Sequence, residues 1–319
     1  MLFWRKRGLL AVSNFRPCSR LVFALRCLSD RHAARKSRAA PQGNSIFMSA
    51  TVSVRALLAA ALLVTAAVPA GAVQLSPHRA TYALSLDGSK PAKRVNAARG
   101  EITYELRGNP CAGYSVQLSQ STDLDTEGGR LNSAVKTATW EDGEANAYRF
   151  RVTNTINGEA PEEADGVAER KDGQLVVRAT KPETETIQLT KGVLLPTQHI
   201  LSVLAKAQQG DAILEAPVFD GSPDARKIFD TLSVIGKGTS DPKGLEGAAT
   251  TADLSGRTRY PVTISYYERG ARGQTPDYTI SFDLYDNGVS RALKLDYGDF
   301  ALRGTLTSYE ALPQEACSK

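Results

Sequence analysis

The chain has 319 residues, 39 of them Lys or Arg and 34 Asp or Glu, for a formal net charge of +5. The basic excess is local: residues 1–72 carry 11 basic and 1 acidic residue, which leaves 28 basic and 33 acidic beyond them, a net of about −5. That mildly acidic remainder of 247 residues is long enough for one large β domain with a sizeable core, and it has no electrostatic reason to bind nucleic acid.

Residues 48–72 read as a cleaved signal peptide. Met48 opens a segment with one positive charge, Arg55. The apolar run Ala56 to Val68 follows, Pro69 breaks it, and Ala70-Gly71-Ala72 supplies the small-x-small pattern of a signal-peptidase site. The run is about thirteen residues, short of the roughly twenty needed to span a bilayer. No cysteine follows the site directly, so a lipoprotein anchor is not expected. Residues 1–47 hold ten Lys/Arg and one acid. They are read as an upstream extension, with translation starting at Met48. A basic nucleic-acid-binding arm is the alternative. The address predicted is the periplasm, with no membrane-spanning segment.

Alternation dominates residues 73–319, read as a single domain. Tyr82-Leu84-Leu86, Ile102-Tyr104-Leu106, Tyr114-Val116-Leu118 and Tyr148-Phe150-Val152 each repeat every second residue. So do Ile228-Asp230-Leu232-Val234, Tyr260-Val262-Ile264-Tyr266 and Tyr278-Ile280-Phe282-Leu284. Each set is predicted to share one face of a half-buried antiparallel strand. Further short strands are predicted near 134–140, 166–170, 174–179, 185–190, 213–219, 290–296 and 299–309. Turns are expected at Asp87-Gly88, Asp142-Gly143, Asn157-Gly158, Asp165-Gly166, Asp172-Gly173 and Asn287-Gly288. One helix interrupts the strands. Pro196 sets its entry, Thr197 is its expected cap, Ile200, Leu201, Leu204 and Ala205 form its apolar stripe, and Gly210 ends it. Residues 236–256, rich in Gly, Thr and Asp, are read as a mobile surface loop. About fourteen strands are too many for a flat sheet, so a mainly β fold is expected: one curled antiparallel sheet, an open cup with the helix against its inner face. Cups of this kind bind apolar ligands in their mouths.

Catalytic chemistry is sparse. The domain has two histidines, His78 and His199, and His199 is read as packed near the helix start. No zinc-protease motif or nucleophile elbow occurs, and no metal or cofactor is expected. Ser133-Ala-Val-Lys136 matches S-x-x-K but falls in a predicted strand with no Lys-Thr-Gly after it, so it is read as chance. Asp220 and Asp299 form the one carboxylate pair worth weighing for glycoside hydrolysis. Turn chemistry accounts for both more simply. The tyrosines are read as core packing. Cys111 and Cys317 are the two cysteines of the domain. An even pair in an oxidising compartment reads as a disulfide that closes a loop of roughly 200 residues.

Several blocks resemble one family. They are Ser76-Pro-His-Arg-Ala-Thr-Tyr82, Gly100 to Tyr104 leading to Cys111-Ala-Gly-Tyr114, Leu195-Pro-Thr-Gln-His199, and Phe219-Asp-Gly-Ser222. Tyr260 to Tyr266 and Ser281 to Gly288 through Leu295 to Phe300, ending at Cys317, complete the set. Together they are similar to the EipB family of periplasmic cell-envelope integrity proteins, over nearly all of residues 73–319. The resemblance implies a periplasmic β-spiral of about fourteen strands with helices against its interior. It implies a Cys111–Cys317 disulfide, a role in envelope integrity under stress, and no known enzymatic activity. The expected function is non-enzymatic: holding a lipid, lipoprotein or other apolar ligand in the cup. The alternatives are a scaffold for a periplasmic protein partner or an envelope hydrolase.

Overall fold

A computed structural model describes residues 73–222, 226–270 and 275–317. The expected leader and signal peptide, residues 1–72, lie outside the described residues. Eight strands come first: β1 (His78–Leu86), β2 (Val95–Asn109), β3 (Gly113–Thr126), β4 (Gly129–Glu141), β5 (Ala147–Ile156), β6 (Glu162–Lys171), β7 (Gln174–Lys181) and β8 (Glu185–Lys191). Helix α1 (Pro196–Gln209) follows. Six more strands complete the chain: β9 (Ile213–Val218), β10 (Phe229–Ile235), β11 (Arg259–Glu268), β12 (Tyr278–Tyr285), β13 (Ser290–Asp296) and β14 (Ala301–Ala311).

All fourteen strands form one antiparallel sheet in the order β8 to β1, then β14 to β9. Each strand pairs with its neighbour in sequence, and one long-range pairing, β1 with β14, joins the two meanders. The free edges are therefore β8 and β9, the two strands that α1 connects. A ladder between them would close a barrel. Instead the chain beyond β8 meets β9 at one parallel bridge, Leu194 with Val218. There the Leu194 N–H donates to the Pro217 carbonyl at 2.8 Å and the Phe219 N–H donates to Leu194 at 3.0 Å. The sheet curls until its two ends meet at this bridge, and α1 packs against β9, β10 and inward residues of the sheet.

The inward face follows the predicted alternation on most strands. Tyr82, Leu84, Ile102, Leu106, Tyr148, Phe150, Val262, Ile264 and Tyr266 are all buried. Strand β10 is a correction. The expected set Ile228, Asp230, Leu232 and Val234 does not form its buried face; Phe229, Thr231, Ser233 and Ile235 do, and Val234 is exposed. The polar pair is tolerated inside because it is bonded. Thr231 Oγ1 donates to the Ala216 carbonyl, and Thr231 Oγ1 and Ser233 Oγ each lie 3.3 Å from His199 Nε2.

Three further expectations are corrected. Asp165-Gly166 is not a turn but lies within β6, where the register to β7 shifts. A Cβ on Gly166 would meet Phe150 Cζ and the Arg178 carbonyl at 2.7 Å each, so close approach of backbone and ring requires glycine there. Asp172 and Gly173, by contrast, both have positive φ and form the tight β6–β7 turn. The stripe of α1 is centred on His199, Val203, Leu204 and Ala207, with Ile200 and Leu201 only partly buried. Residues 236–256 are pinned to the sheet. Ala249 and Leu254 are buried, and Gly247–Ala249 forms a 3₁₀ turn against β14. Arg291 holds this segment through Glu246 Oε2 at 2.5 Å and the Gly244 carbonyl at 2.8 Å, while its Nη1 reaches Asp283.

Beyond β14 the chain returns to the β2–β3 turn, where a disulfide joins Cys111 and Cys317 with their Cα atoms 5.6 Å apart. Asn109 organises the junction. Its Oδ1 accepts the N–H groups of Cys111 and Ala112 at 2.8 Å, and its Nδ2 donates to the Glu315 carbonyl at 2.9 Å. The crosslink spans 206 residues of sequence, so loop entropy places its contribution at up to about 5 kcal/mol. Cys111→Ser is expected to lower the melting temperature markedly. Wild-type protein should melt earlier in reductant, and equal melting with and without reductant would contradict this assignment.

Candidate functional site: an interior cavity

Inside the curl lies a cavity of about 200 Å³. An engineered apolar cavity of about 150 Å³ admits benzene. This one therefore accepts a ring or a short length of hydrocarbon chain, not a whole diacyl lipid. Strands β2, β3 and β11 to β13 make its walls apolar through Ile102, Leu118, Ile264, Ile280, Leu293 and Leu295. Period-two alternation delivers these side chains to one face of their strands.

The opposite wall is polar. It is built by β4, β5, the start of α1 and the turn after β9, which contribute Thr137, Thr139, Tyr148, Thr197 and Asp220. The key neighbour of this wall is Glu141, the last residue of β4 and nearly fully buried. The first N–H groups of a helix have no intrahelical partner. Glu141 accepts two of them: the Thr197 N–H at Oε2 and the Gln198 N–H at Oε1, each at 2.8 Å. The expected cap, Thr197, does not serve; Leu195 is the N-cap residue, and the acceptor comes from a distant strand. Gly210, with φ 83°, ends the helix as predicted. Burial pushes the Glu141 carboxyl up to about 7 against the opposing pull of those two donors.

Asp220 is also buried within this wall. Its Oδ1 accepts the Ser222 N–H at 3.0 Å, and its backbone carbonyl accepts from the Tyr148 hydroxyl at 3.1 Å. Its Oδ2 has no hydrogen-bond partner, and neither does Thr137 Oγ1. Burial pushes the Asp220 carboxyl up to about 6, opposed by its bonds to Ser222 and by the charge of Lys227. Gly221, with φ 74°, makes the turn possible, since a Cβ there would lie 2.6 Å from the Phe150 ring.

The carboxylates weighed for hydrolysis are not brought together. Asp299 is exposed, 4.0 Å from Lys93 in the β13–β14 turn, and does not line the cavity. Ser133 is buried while Lys136 is exposed, because three residues along a strand reverse the face; S-x-x-K has no shared site. His199 is sealed between Thr231 and Ser233 and its ring is held neutral, burial pulling it down to about 4. His78 lines the cavity, donating from Nδ1 to the Ser76 carbonyl at 2.8 Å. Cys111 and Cys317 stand apart from the cavity lining. Among the described residues no group of three or more His, Cys, Asp or Glu is arranged to hold a metal, and no helix is long and apolar enough to cross a membrane. Sequence reasoning missed Glu141, Thr137 and Thr139. The available signal was a run of polar residues at the inward phase of β4.

A family model described as EipB-like matches residues 69–313. The chain belongs to the EipB-like family. It is 34% identical over 248 residues to the cell envelope integrity protein EipB of Brucella abortus (strain 2308), covering 77% of this chain and 87% of that one. A crystal structure from Brucella abortus, described as a β-barrel-like protein of a domain of unknown function, superposes with a TM-score of 0.69 at 33% identity. That match covers 76% of this chain and all of the other. Barrel-like agrees with the curl found here, a fourteen-strand sheet whose edges meet at one bridge.

The buried carboxyls set a pH dependence. Glu141 and Asp220 hold their protons more tightly in the folded state than in the unfolded chain, where carboxyls titrate near 4. The folded protein thus binds more protons between about pH 4 and 7, and stability falls as pH rises through that window. Asp220→Asn mimics the protonated form. It is expected to raise the urea midpoint at pH 7.5 and to lose that advantage at pH 4.5; an equal effect at both would contradict the assignment.

Proposed function

We propose that this protein is a non-enzymatic periplasmic component of cell-envelope integrity that holds an apolar group in the cavity of its curled sheet. The observation that carries the reading is the cavity itself, walled by aliphatic side chains from both meanders and bounded by a fixed helix. The relative named for envelope integrity supports the physiological role. The Cys111–Cys317 crosslink suits an oxidising compartment, and the signal-peptide pattern of residues 48–72 suits export to it. The cavity size points to one acyl segment, lipoprotein chain end or apolar peptide side chain. The reading is binding without chemistry, supported by a lining that is mostly apolar among the described residues.

One observation favours a second reading, a docking scaffold for a periplasmic protein. Ile213 and Val234 are 57% and 47% exposed, and they face each other across β9 and β10 at the edge of the sheet. Substituting both with Lys would abolish a partner crosslink on that reading while leaving the cavity unaffected.

The cavity reading is tested by filling it. Ile280→Trp places an indole in the apolar wall. It is expected to reduce binding of a fluorescent fatty-acyl probe at least tenfold and to fail to restore envelope-stress resistance in a deletion strain, with a circular dichroism spectrum like that of the parent. Full probe binding and full complementation by the variant would overturn the proposal.

A further inference from the structure

We infer that the cavity selects an amphiphile whose apolar chain ends in a protonated amine, with Asp220 as the anchoring residue. This rests on the reading that the cavity is occupied by a ligand, and it names the ligand's chemistry. Asp220 is 5% exposed and lines a cavity otherwise dominated by aliphatic side chains. One carboxyl oxygen is satisfied by the Ser222 N–H, while Oδ2 has no hydrogen-bond partner. A buried carboxylate oxygen left unpaired costs considerable free energy, so such a group either stays protonated or meets a donor. Lys227, a cation whose field reaches it, is engaged with Glu268 at 3.1 Å and lies over the face of Phe229 at 4.7 Å.

The wall around Asp220 fits a donor and disfavours an anion. Thr137 Oγ1, on the same cavity wall, also lacks a partner and can accept from a donor in the cavity. The helix N-terminus, the usual place for an anion, is already neutralised by Glu141, which occupies the N–H groups of Thr197 and Gln198. A ligand carboxylate or phosphate would instead face the buried Asp220 carboxyl, while Glu141 already takes the Thr197 and Gln198 N–H groups. The mostly aliphatic lining takes the chain, and about 200 Å³ limits it to roughly eight carbons by comparison with cavities of known occupancy. A charge-assisted hydrogen bond to the ammonium group then supplies the selectivity.

The test compares n-octylamine, 1-octanol and octanoate below their micellar concentrations, at pH 7.5, by displacement of a fluorescent apolar probe from the wild-type chain and from Asp220→Asn. The inference expects octylamine to bind about tenfold more tightly than octanol, with octanoate weakest. In Asp220→Asn the amine preference is expected to fall to within about threefold, while octanol binding is unchanged. Octanol binding with no preference for the amine, or an amine preference that survives Asp220→Asn, overturns this inference and leaves the cavity reading standing. Failure of all three to bind overturns both. The comparison on wild-type protein decides the matter even if Asp220→Asn fails to fold.

Discussion

Two backbone N–H groups at the start of α1 have no helical partner, and the buried carboxylate of Glu141 accepts both. The rest of the architecture depends on this clamp. It ties the last residue of β4 to the first turn of a helix 56 residues further along the chain. With its N-terminus fixed, α1 lies against β9 and β10 and packs its Val203, Leu204 and Ala207 with inward residues of the sheet. The two ends of the sheet then meet at the bridge between Leu194 and Val218. A complete β8–β9 ladder would close a fourteen-strand barrel, wider than the roughly eight strands whose interior side chains alone can fill. Helix α1 takes up part of that interior, its Val203, Leu204 and Ala207 sharing a core with Leu106, Tyr114, Phe229 and Tyr266.

That room has two characters because two kinds of strand wall it. The strands β2, β3 and β11 to β13 carry aliphatic residues at the inward phase. Strand β4 carries Ser133, Thr137 and Glu141 at the same phase, all buried. Polar groups inside a sheet are costly unless bonded, and Glu141 is bonded. Thr137 Oγ1 and Asp220 Oδ2 are not. The arrangement suits the proposed holding of an apolar group by one polar end.

The sheet was legible in the sequence because period-two alternation is a local signal. Tyr260 to Tyr266 and Tyr278 to Leu284 show the inward phase directly. Strand β10 was read in the wrong phase because its inward residues Thr231 and Ser233 are polar, made tolerable only by His199 and Ala216 from elsewhere in the fold. The same cause hid Glu141: a carboxylate at a strand end reads as solvent-facing until the helix it caps is in place. Asp220 was noticed, but as a turn residue. The Asp-Gly-Ser pattern does make the turn; what the pattern cannot show is that the turn lies against Tyr148 and Phe150 in the wall of the cavity. Residues 236–256 looked like a free loop because the small residues Gly247 to Ala249 carry no periodicity, yet Ala249 and Leu254 are buried.

The central claim is that the curled sheet holds a bound apolar group in the living cell. Native mass spectrometry of the protein taken from its own envelope fraction without detergent tests it most directly. The account predicts a defined extra mass, released on unfolding, that matches a molecule with a short apolar chain. A bare polypeptide mass from gently extracted, folded protein would contradict it.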